Sequence, residues 1–292
     1  MRIAVIGTGY WGTKVADTVE KKYDVLRLDV NDNIQSAKYD AAIICTPAEY
    51  HYGIASTLLR KSIPVLVEKP VAINLHEVVD LCDIAQEYNT VIQAGHVLCF
   101  TPTTNWIKSN YDMGQLQLLE TRRMNFGSMP SSHIDLNLHL TVHDVALIDY
   151  FTGETVQEVE TKQYNLTQHE HPDYIVNTVK YESFTASLHC SWFYPNKQRT
   201  ISLIGYNQSV LLDDDTNTIE RCTGTYNGLK LNVEDRKIHK VGPEATPLEK
   251  QIDNFVFSIM TNNLESINGI QHIKRTYENL QKIRNPICTL RY

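Results

Sequence analysis

The stretch Arg2-Ile3-Ala4-Val5-Ile6-Gly7-Thr8-Gly9-Tyr10-Trp11-Gly12 is apolar from Ile3 to Ile6 and then opens into a G-x-G-x-x-G turn. A short apolar run bounded by glycine reads as a buried parallel strand. Beyond the turn Val15, Ala16 and Val19 recur at helical spacing, so a helix is expected over 10–22. A second strand over 24–28 then ends in Asp29. In such a strand-turn-helix unit the glycines let the backbone approach a pyrophosphate, and the free N–H groups of the helix start donate to it. Gly7, Gly9, Tyr10, Trp11 and Gly12 are therefore candidate cofactor-binding residues. Glycines at this place also serve tight strand-helix packing.

Asp29 stands twenty residues after Gly9, where a carboxylate can accept hydrogen bonds from the adenosine ribose hydroxyls and repel a 2'-phosphate. NAD is the expected cofactor. Further strands are expected over 41–45, 65–67 and 91–94, with helices over 49–61 and 75–88 between them, an alternation that implies a parallel sheet. The second of these helices starts with Asn74 and Glu77, a capping pair, and keeps Val78, Leu81, Cys82 and Ala85 on one face. Eleven residues separate Asp29 from Ala41, at the lower limit for a crossover between adjacent parallel strands. The usual helix is expected to be truncated there, leaving the adenine side more open.

After Phe100 the texture changes, with strands expected over 116–125, 155–164, 173–181, 184–194, 198–206 and 208–213, joined by short turns. This half reads as a largely antiparallel sheet accompanied by one amphipathic helix over 138–151. Leu248, Ile252, Phe255, Val256 and Ile259 mark another helix, and a last one is expected over 269–283. His169-Glu170-His171 reads as a polar loop. The expected fold is α/β: a doubly wound parallel sheet over 1–115, then an α+β domain over 116–292 with an open sheet, its terminal helix packing back on the first domain.

The chain has 292 residues, 42% hydrophobic and 21% charged, ordinary values for folded domains. Its formal net charge of -7 opposes binding to duplex nucleic acid, which needs a basic face. Six cysteines without C-x-x-C spacing, in a chain with no secretory leader pattern, suggest reduced thiols in the cytoplasm. No apolar run approaches the roughly 18 residues of a membrane span.

Val65-Leu66-Val67-Glu68-Lys69-Pro70 brings a glutamate and a lysine to the carboxyl edge of the parallel sheet, where doubly wound folds bind ligands. Taken alone it could be a surface ion pair. Around it stand Cys45-Thr46-Pro47 with His51 four residues on, Gly95-His96 with Phe100-Thr101-Pro102, and His143-Asp144 in a helix ending at Gly153. With Gly7 to Gly12, these motifs resemble the glucose-fructose oxidoreductase, inositol dehydrogenase and rhizopine-catabolism (Gfo/Idh/MocA) family of sugar dehydrogenases over essentially the whole chain. The resemblance implies a Rossmann domain followed by a mixed domain whose open sheet forms dimers or tetramers, with substrate held over the nicotinamide between domains. It implies that Lys69 hydrogen-bonds the reacting hydroxyl and that His143 exchanges its proton. It also implies cofactor contacts from Thr46, Pro47, His51, Glu68 and Lys69 and a substrate contact from His96. Within the family the motifs look most like nucleotide-sugar 3-dehydrogenases acting on UDP-N-acetylglucosamine or its uronate. Free sugars and inositols are the alternative substrates.

An imidazole with an ordinary pKa near ~6.5 suits proton exchange at a secondary alcohol, and a lysine favours the developing alkoxide in a dry site. Arg123 and Asn125, with Arg122, follow the strand over 116–125 and are candidates to meet a diphosphate or carboxylate, although exposed arginines are usually just solvated. His139 lies one turn before His143, where many family members carry aspartate; it either contacts substrate or packs in the helix interface. The pair also has H-x-x-x-H metal spacing, but no third ligand is apparent and no metal is expected. Cys99 replaces the family's usual arginine and reads as a small packed residue. Tyr174, Tyr181 and Phe193 are candidates for an oligomer face. From other classes, a catalytically silent NAD-binding regulator and a zinc hydrolase remain as competing readings. In a direct titration NAD should bind more tightly than NADP; the reverse order would remove Asp29 from the ribose.

Overall fold

The computed structural model describes residues 1–34, 36–127, 134–167, 171–226, 228, 230–242 and 245–286, and the backbone of 288–291. His169 and Glu170 of the expected polar loop lie outside the described residues. In chain order the first elements are β1 (Arg2–Ile6), α1 (Tyr10–Glu20), β2 (Asp24–Leu28), β3 (Ala41–Ile44), α2 (Ala48–Leu59), β4 (Val65–Val67), α3 (Leu75–Glu87) and β5 (Ile92–Ala94). Then come α4 (Pro102–Asn110), β6 (Leu116–Phe126), α5 (Val142–Thr152), β7 (Glu158–Tyr164), β8 (Tyr174–Lys180), β9 (Thr185–Ser191) and β10 (Phe193–Gly205). The chain continues with β11 (Gln208–Asp213), β12 (Thr218–Tyr226), β13 (Leu231–Lys240), α6 (Pro247–Thr261), α7 (Ile270–Arg284) and β14 (Cys288–Arg291).

These elements form two compact units, Met1–Phe100 with Ala245–Glu278, and Thr101–Glu244 with Asn279–Tyr292. The division falls at Phe100 rather than at the change of pattern near 115. α4 belongs with the second unit because its Thr103 donates to Asp214 at 2.5 Å and its Lys108 to the Tyr150 carbonyl. α6 and most of α7 belong with the first.

In the first unit five parallel strands run in the order β2-β1-β3-β4-β5. Every side chain of β3 is buried, as are Ile3 to Ile6 of β1, so these central strands read as unbroken apolar runs. On one face Val15, Ala16 and Val19 of α1 pack with Ile3, Val5, Ile43 and Leu66. Leu248, Ile252, Phe255 and Val256 of α6 join the same cluster, which explains why a segment so late in the chain belongs to this unit. Burial of a side chain such as Phe255 is worth about 1.5–3 kcal/mol. α3 starts at the expected capping pair, with Glu77 accepting from the Asn74 N–H at 3.3 Å.

β2 and β3 are not neighbours: they flank β1 on opposite sides. Residues 29–40 carry no helix among those described, and β2 is an edge strand. A return along one strand and across two strand spacings is only about 20 Å, within easy reach of a dozen residues. The short connection needs no helix to make the crossing.

The second unit is a nine-stranded sheet in the order β13-β12-β11-β10-β6-β9-β8-β7-β14. Its pairings are antiparallel except β6 with β9 and β7 with β14. The strand expected over 184–194 is split between β9 and β10, and β10 runs through an irregularity between Phe193 and Gln198. The polar strands β12 and β13 had no apolar alternation to reveal them; β13 is exposed along most of its length and pairs only with β12. The face of the sheet that carries Leu119, Thr121, Arg123, Ile201 and Leu203 is buried. The other face presents Leu118, Ile204 and Leu211. Tyr181, expected to face outward, is buried and stacked on Phe184 at 4.6 Å between ring centroids.

Gly7 closes β1 at φ 109°, a left-handed backbone that side chains disfavour. At Gly12 an added Cβ would lie 1.9 Å from the Gly7 carbonyl oxygen, so α1 starts against β1 with no room for a side chain. Gly12→Ala should therefore lower the free energy of unfolding by about 1–3 kcal/mol or more, read from urea denaturation.

Candidate active site

The carboxyl edge of the parallel sheet is built from the turns after each strand. The ladder extends past the strand ends, with Gly7 N donating to Leu28 O at 2.8 Å and Cys45 N to Ile6 O at 2.7 Å. α1 begins at Gly9 with no side chain capping its first N–H groups, and a Cβ placed at Gly9 would meet no protein atom within 4 Å. Those are the conditions under which a helix start receives a phosphate. Tyr10 is exposed, whereas Trp11 packs partly against the core with Lys14 Nζ 5.1 Å over its ring. Asp29 closes β2. Its carboxylate accepts from Thr8 Oγ1 at 2.6 Å and from Val30 N at 2.7 Å, and these donors hold it below the usual carboxylate range. An ionised carboxylate has about four acceptor positions, so the fixed group keeps capacity for ribose hydroxyls. The buried Thr46 hydroxyl makes no hydrogen bond among the described residues. Together these features fit a dinucleotide.

Thr46 and Pro47 form the turn after β3, and Glu68, Lys69 and Pro70 the turn after β4. Glu68 is buried, and burial pushes its carboxyl up, with the Trp11 indole and the amide and charge of Lys69 pulling the other way. His51, expected to touch the cofactor, instead has both ring nitrogens taken: Nδ1 lies 2.7 Å from Pro70 O and Nε2 2.7 Å from Thr46 O. With its ring 1% exposed, it acts on the backbone of the two turns. His96 follows β5, buried beside His272 at 5.8 Å and Tyr277 at 6.1 Å between ring centroids. Burial, then the nearby His272 and Lys69, push its pKa well below the ordinary value, so the ring is neutral. Neither ring nitrogen finds a hydrogen-bond partner among the described residues, which leaves one donor and one acceptor for a ligand. The Tyr277 hydroxyl accepts from Val71 N at 2.6 Å and secures the segment after Pro70.

The second unit holds the other predicted residues. The expected single helix over 138–151 is α5 preceded by a π turn at Asn137–Thr141, a wider coil that recurs at functional sites. His139 lies in the π turn and His143 in the first turn of α5. Trp192 Nε1 donates to His139 Nδ1 at 2.8 Å, which puts the proton of a neutral His139 on Nε2. Asn137 Oδ1 accepts from Thr141 and from Asn177, so buried side-chain hydrogen bonds brace the π turn.

Arg123 does not offer its charge to a ligand. It is buried, and its Nε and Nη2 donate to Asp144 Oδ1 at 3.0 and 2.7 Å, since residue 123 faces the covered side of the sheet. Asn125 Oδ1 accepts from Arg199 at 3.1 Å, and Arg122 pairs with Glu120 at 2.8 Å. A single sequence carries no sign of which partner a strand arginine will find. Trp192, His272 and Tyr277 escaped notice for the same reason, as did the pairing of Asp144 with Arg123: each acts through a contact distant in sequence. Among the described residues no three His, Cys, Asp or Glu side chains gather as a metal site, and no helix is long and apolar enough to cross a membrane.

A parallel dinucleotide-binding sheet followed by an open mixed sheet defines the class, and comparison with known families agrees. Residues 16–96 match the Gfo/Idh/MocA oxidoreductase family, NAD-binding Rossmann fold, and residues 134–211 match the Gfo/Idh/MocA C-terminal domain, together more than half of the chain. The chain belongs to the Gfo/Idh/MocA oxidoreductase family, and its first unit is an NAD-binding Rossmann domain. It is similar to the UDP-N-acetylglucosamine 3-dehydrogenase of Acidithiobacillus ferrooxidans, 29% identical over 117 residues that make up 40% of this chain and 37% of that one. It is also similar to the myo-inositol 2-dehydrogenase of Thermotoga maritima, 22% identical over 190 residues, 54% of this chain and 57% of that one. These alignments thus span less than two thirds of either relative. Among solved structures, UDP-N-acetylglucosamine 3-dehydrogenase GnnA from Acidithiobacillus ferrooxidans superposes with a TM-score of 0.88 at 20% identity, covering 98% of this chain and 96% of that one, a likeness of fold.

Asp144→Ala would leave the Arg123 guanidinium buried without its counter-charge. The expected loss of stability is about 3–5 kcal/mol, measured by denaturant unfolding against the unsubstituted chain.

Proposed function

We propose that the chain is an NAD-dependent dehydrogenase that oxidises a secondary ring hydroxyl of a sugar, with C3 of a UDP-N-acetylhexosamine or its uronate as the site of oxidation. What carries the reading is the Glu68-Lys69-Pro70 turn. It stands on the same sheet edge as the glycine turn and Asp29, next in space to a neutral, unpartnered His96. Bound NAD supplies the hydride acceptor. Lys69 donates a hydrogen bond to the reacting hydroxyl and favours the negative charge that grows on its oxygen. His143 takes the hydroxyl proton and returns it when the reaction runs backward. His96 orients the substrate through its ring nitrogens, and His139, whose Nδ1 accepts from Trp192, is a further substrate contact.

The nucleotide-sugar assignment is supported by the likeness to a UDP-N-acetylglucosamine 3-dehydrogenase. One observation favours the second reading, a free sugar or inositol: the ion pair with Asp144 removes Arg123 as a ligand for a diphosphate. The open face of the mixed sheet, with Leu118, Ile204 and Leu211, supports assembly into homodimers or homotetramers. The protein is proposed to work in the cytoplasm.

A screen that follows NADH absorbance with UDP-N-acetylglucosamine, its uronate, myo-inositol and free hexoses separates the two substrate classes. In the same assay Lys69→Ala and His143→Ala should each lower kcat by about 10²–10⁴-fold while leaving NAD affinity nearly unchanged. Near-normal turnover in Lys69→Ala would overturn the assignment.

A further inference from the structure

His51 occupies the first turn of α2 and is 1% exposed. Its two ring nitrogens lie 2.7 Å from the carbonyl oxygens of Pro70 and Thr46. A carbonyl oxygen only accepts, and a neutral imidazole carries one N–H. In a neutral ring one of these contacts would set a nitrogen lone pair against an oxygen lone pair within hydrogen-bond distance. Both contacts are attractive only when both nitrogens carry protons, and hydrogen bonds from a charged donor are the stronger kind.

The two carbonyls belong to the turns after β3 and β4, and Pro70 follows Lys69 directly. We propose that His51 is a buried imidazolium that ties the Thr46-Pro47 turn to the Lys69-Pro70 turn and so positions Lys69 for the reaction. His51 is thus a positioning residue that acts through the backbone. The inference rests on the role given to Lys69 in the proposed function.

Burial works against the charge and draws the ring below its ordinary pKa, while the Pro70 and Thr46 carbonyls, and Glu49 on the same helix, work for it. Geometry decides between them, because losing the second proton converts a hydrogen bond at 2.7 Å into a repulsion. The arrangement also accounts for a histidine here rather than a glutamine or asparagine. An imidazolium presents two N–H groups from opposite sides of one rigid ring, whereas an amide presents both from a single nitrogen.

The test uses the full chain labelled with ¹⁵N-histidine, near neutral pH, with the His51 ring assigned through its contacts to Pro70. The expected spectrum has both ring nitrogens protonated; one nitrogen with the shift of a free lone pair would overturn the clamp. In steady-state kinetics His51→Gln should lower kcat by about 10–100-fold with KM for NAD little changed, as expected when a reacting group is misplaced by about 1 Å. An unchanged kcat in a folded His51→Gln chain would also overturn it. Should that variant fail to fold, the ¹⁵N experiment on the unsubstituted chain still decides. Near-normal turnover in Lys69→Ala, by contrast, sinks the reading of Lys69 while leaving a two-proton signal at His51 in place.

Discussion

The first strand and the first helix can meet only because no side-chain carbon stands at residue 12. The Gly7 carbonyl fills the space that a Cβ would need, and Gly7 in turn is pressed against the backbone of Cys45 and Thr46. This contact fixes the height of α1 relative to β1 and β3. From it follow the place of the uncapped helix start and the stacking of Val15, Ala16 and Val19 on the sheet. Every ligand-facing turn of the first unit is measured from that point, since β1 lies between β2 and β3 and β3 passes the register on to β4.

The second unit is organised by a buried charge. Arg123 points from the covered face of β6 to Asp144 in the first turn of α5, and that helix turn also carries His143. Removing a guanidinium from water is costly unless a carboxylate meets it, so the pair locks helix to strand in one rotational setting. The π turn ahead of α5 is braced separately, through Asn137, Asn177 and Thr161. His143, proposed above to exchange the substrate proton, is thereby mounted on a backbone with little freedom. The turn that carries Lys69 is supported differently, by its Pro70 carbonyl, which lies with that of Thr46 against the His51 imidazole.

Much of this was legible in the residues. Buried parallel strands write themselves as apolar runs, and β1, β3, β4 and α3 with its Asn74 and Glu77 cap stand where the pattern put them. The glycine turn, and the placement of Asp29 and Lys69 just past strand ends, could be read because each belongs to a short local motif. What escaped was non-local or unpatterned. β12 and β13 carry few apolar residues and no sustained alternation, α4 is only nine residues long, and β2 and β3 looked adjacent because strand order is not a local property. Arg123 and Asn125 were taken as ligand contacts since a sequence shows that a strand carries an arginine, but not whether the face it points to is covered.

The place of β2 at the end of the parallel sheet bears on solubility. β2 ends the strand order and has no second strand partner among the described residues, and an unpaired strand edge is a template for pairing with another chain. The opposite edge is protected by the chain itself, where Ala94 N donates to Asn268 O at 2.9 Å. At β2 the protection is electrostatic: the strand is five residues long, Asp24 pairs with Arg2, and Arg27 holds Asp17 and Glu20. A second molecule approaching that edge would have to strip water from this row of charges before its first backbone hydrogen bond could form. Charge, rather than a covering element, guards the edge that the strand order exposes.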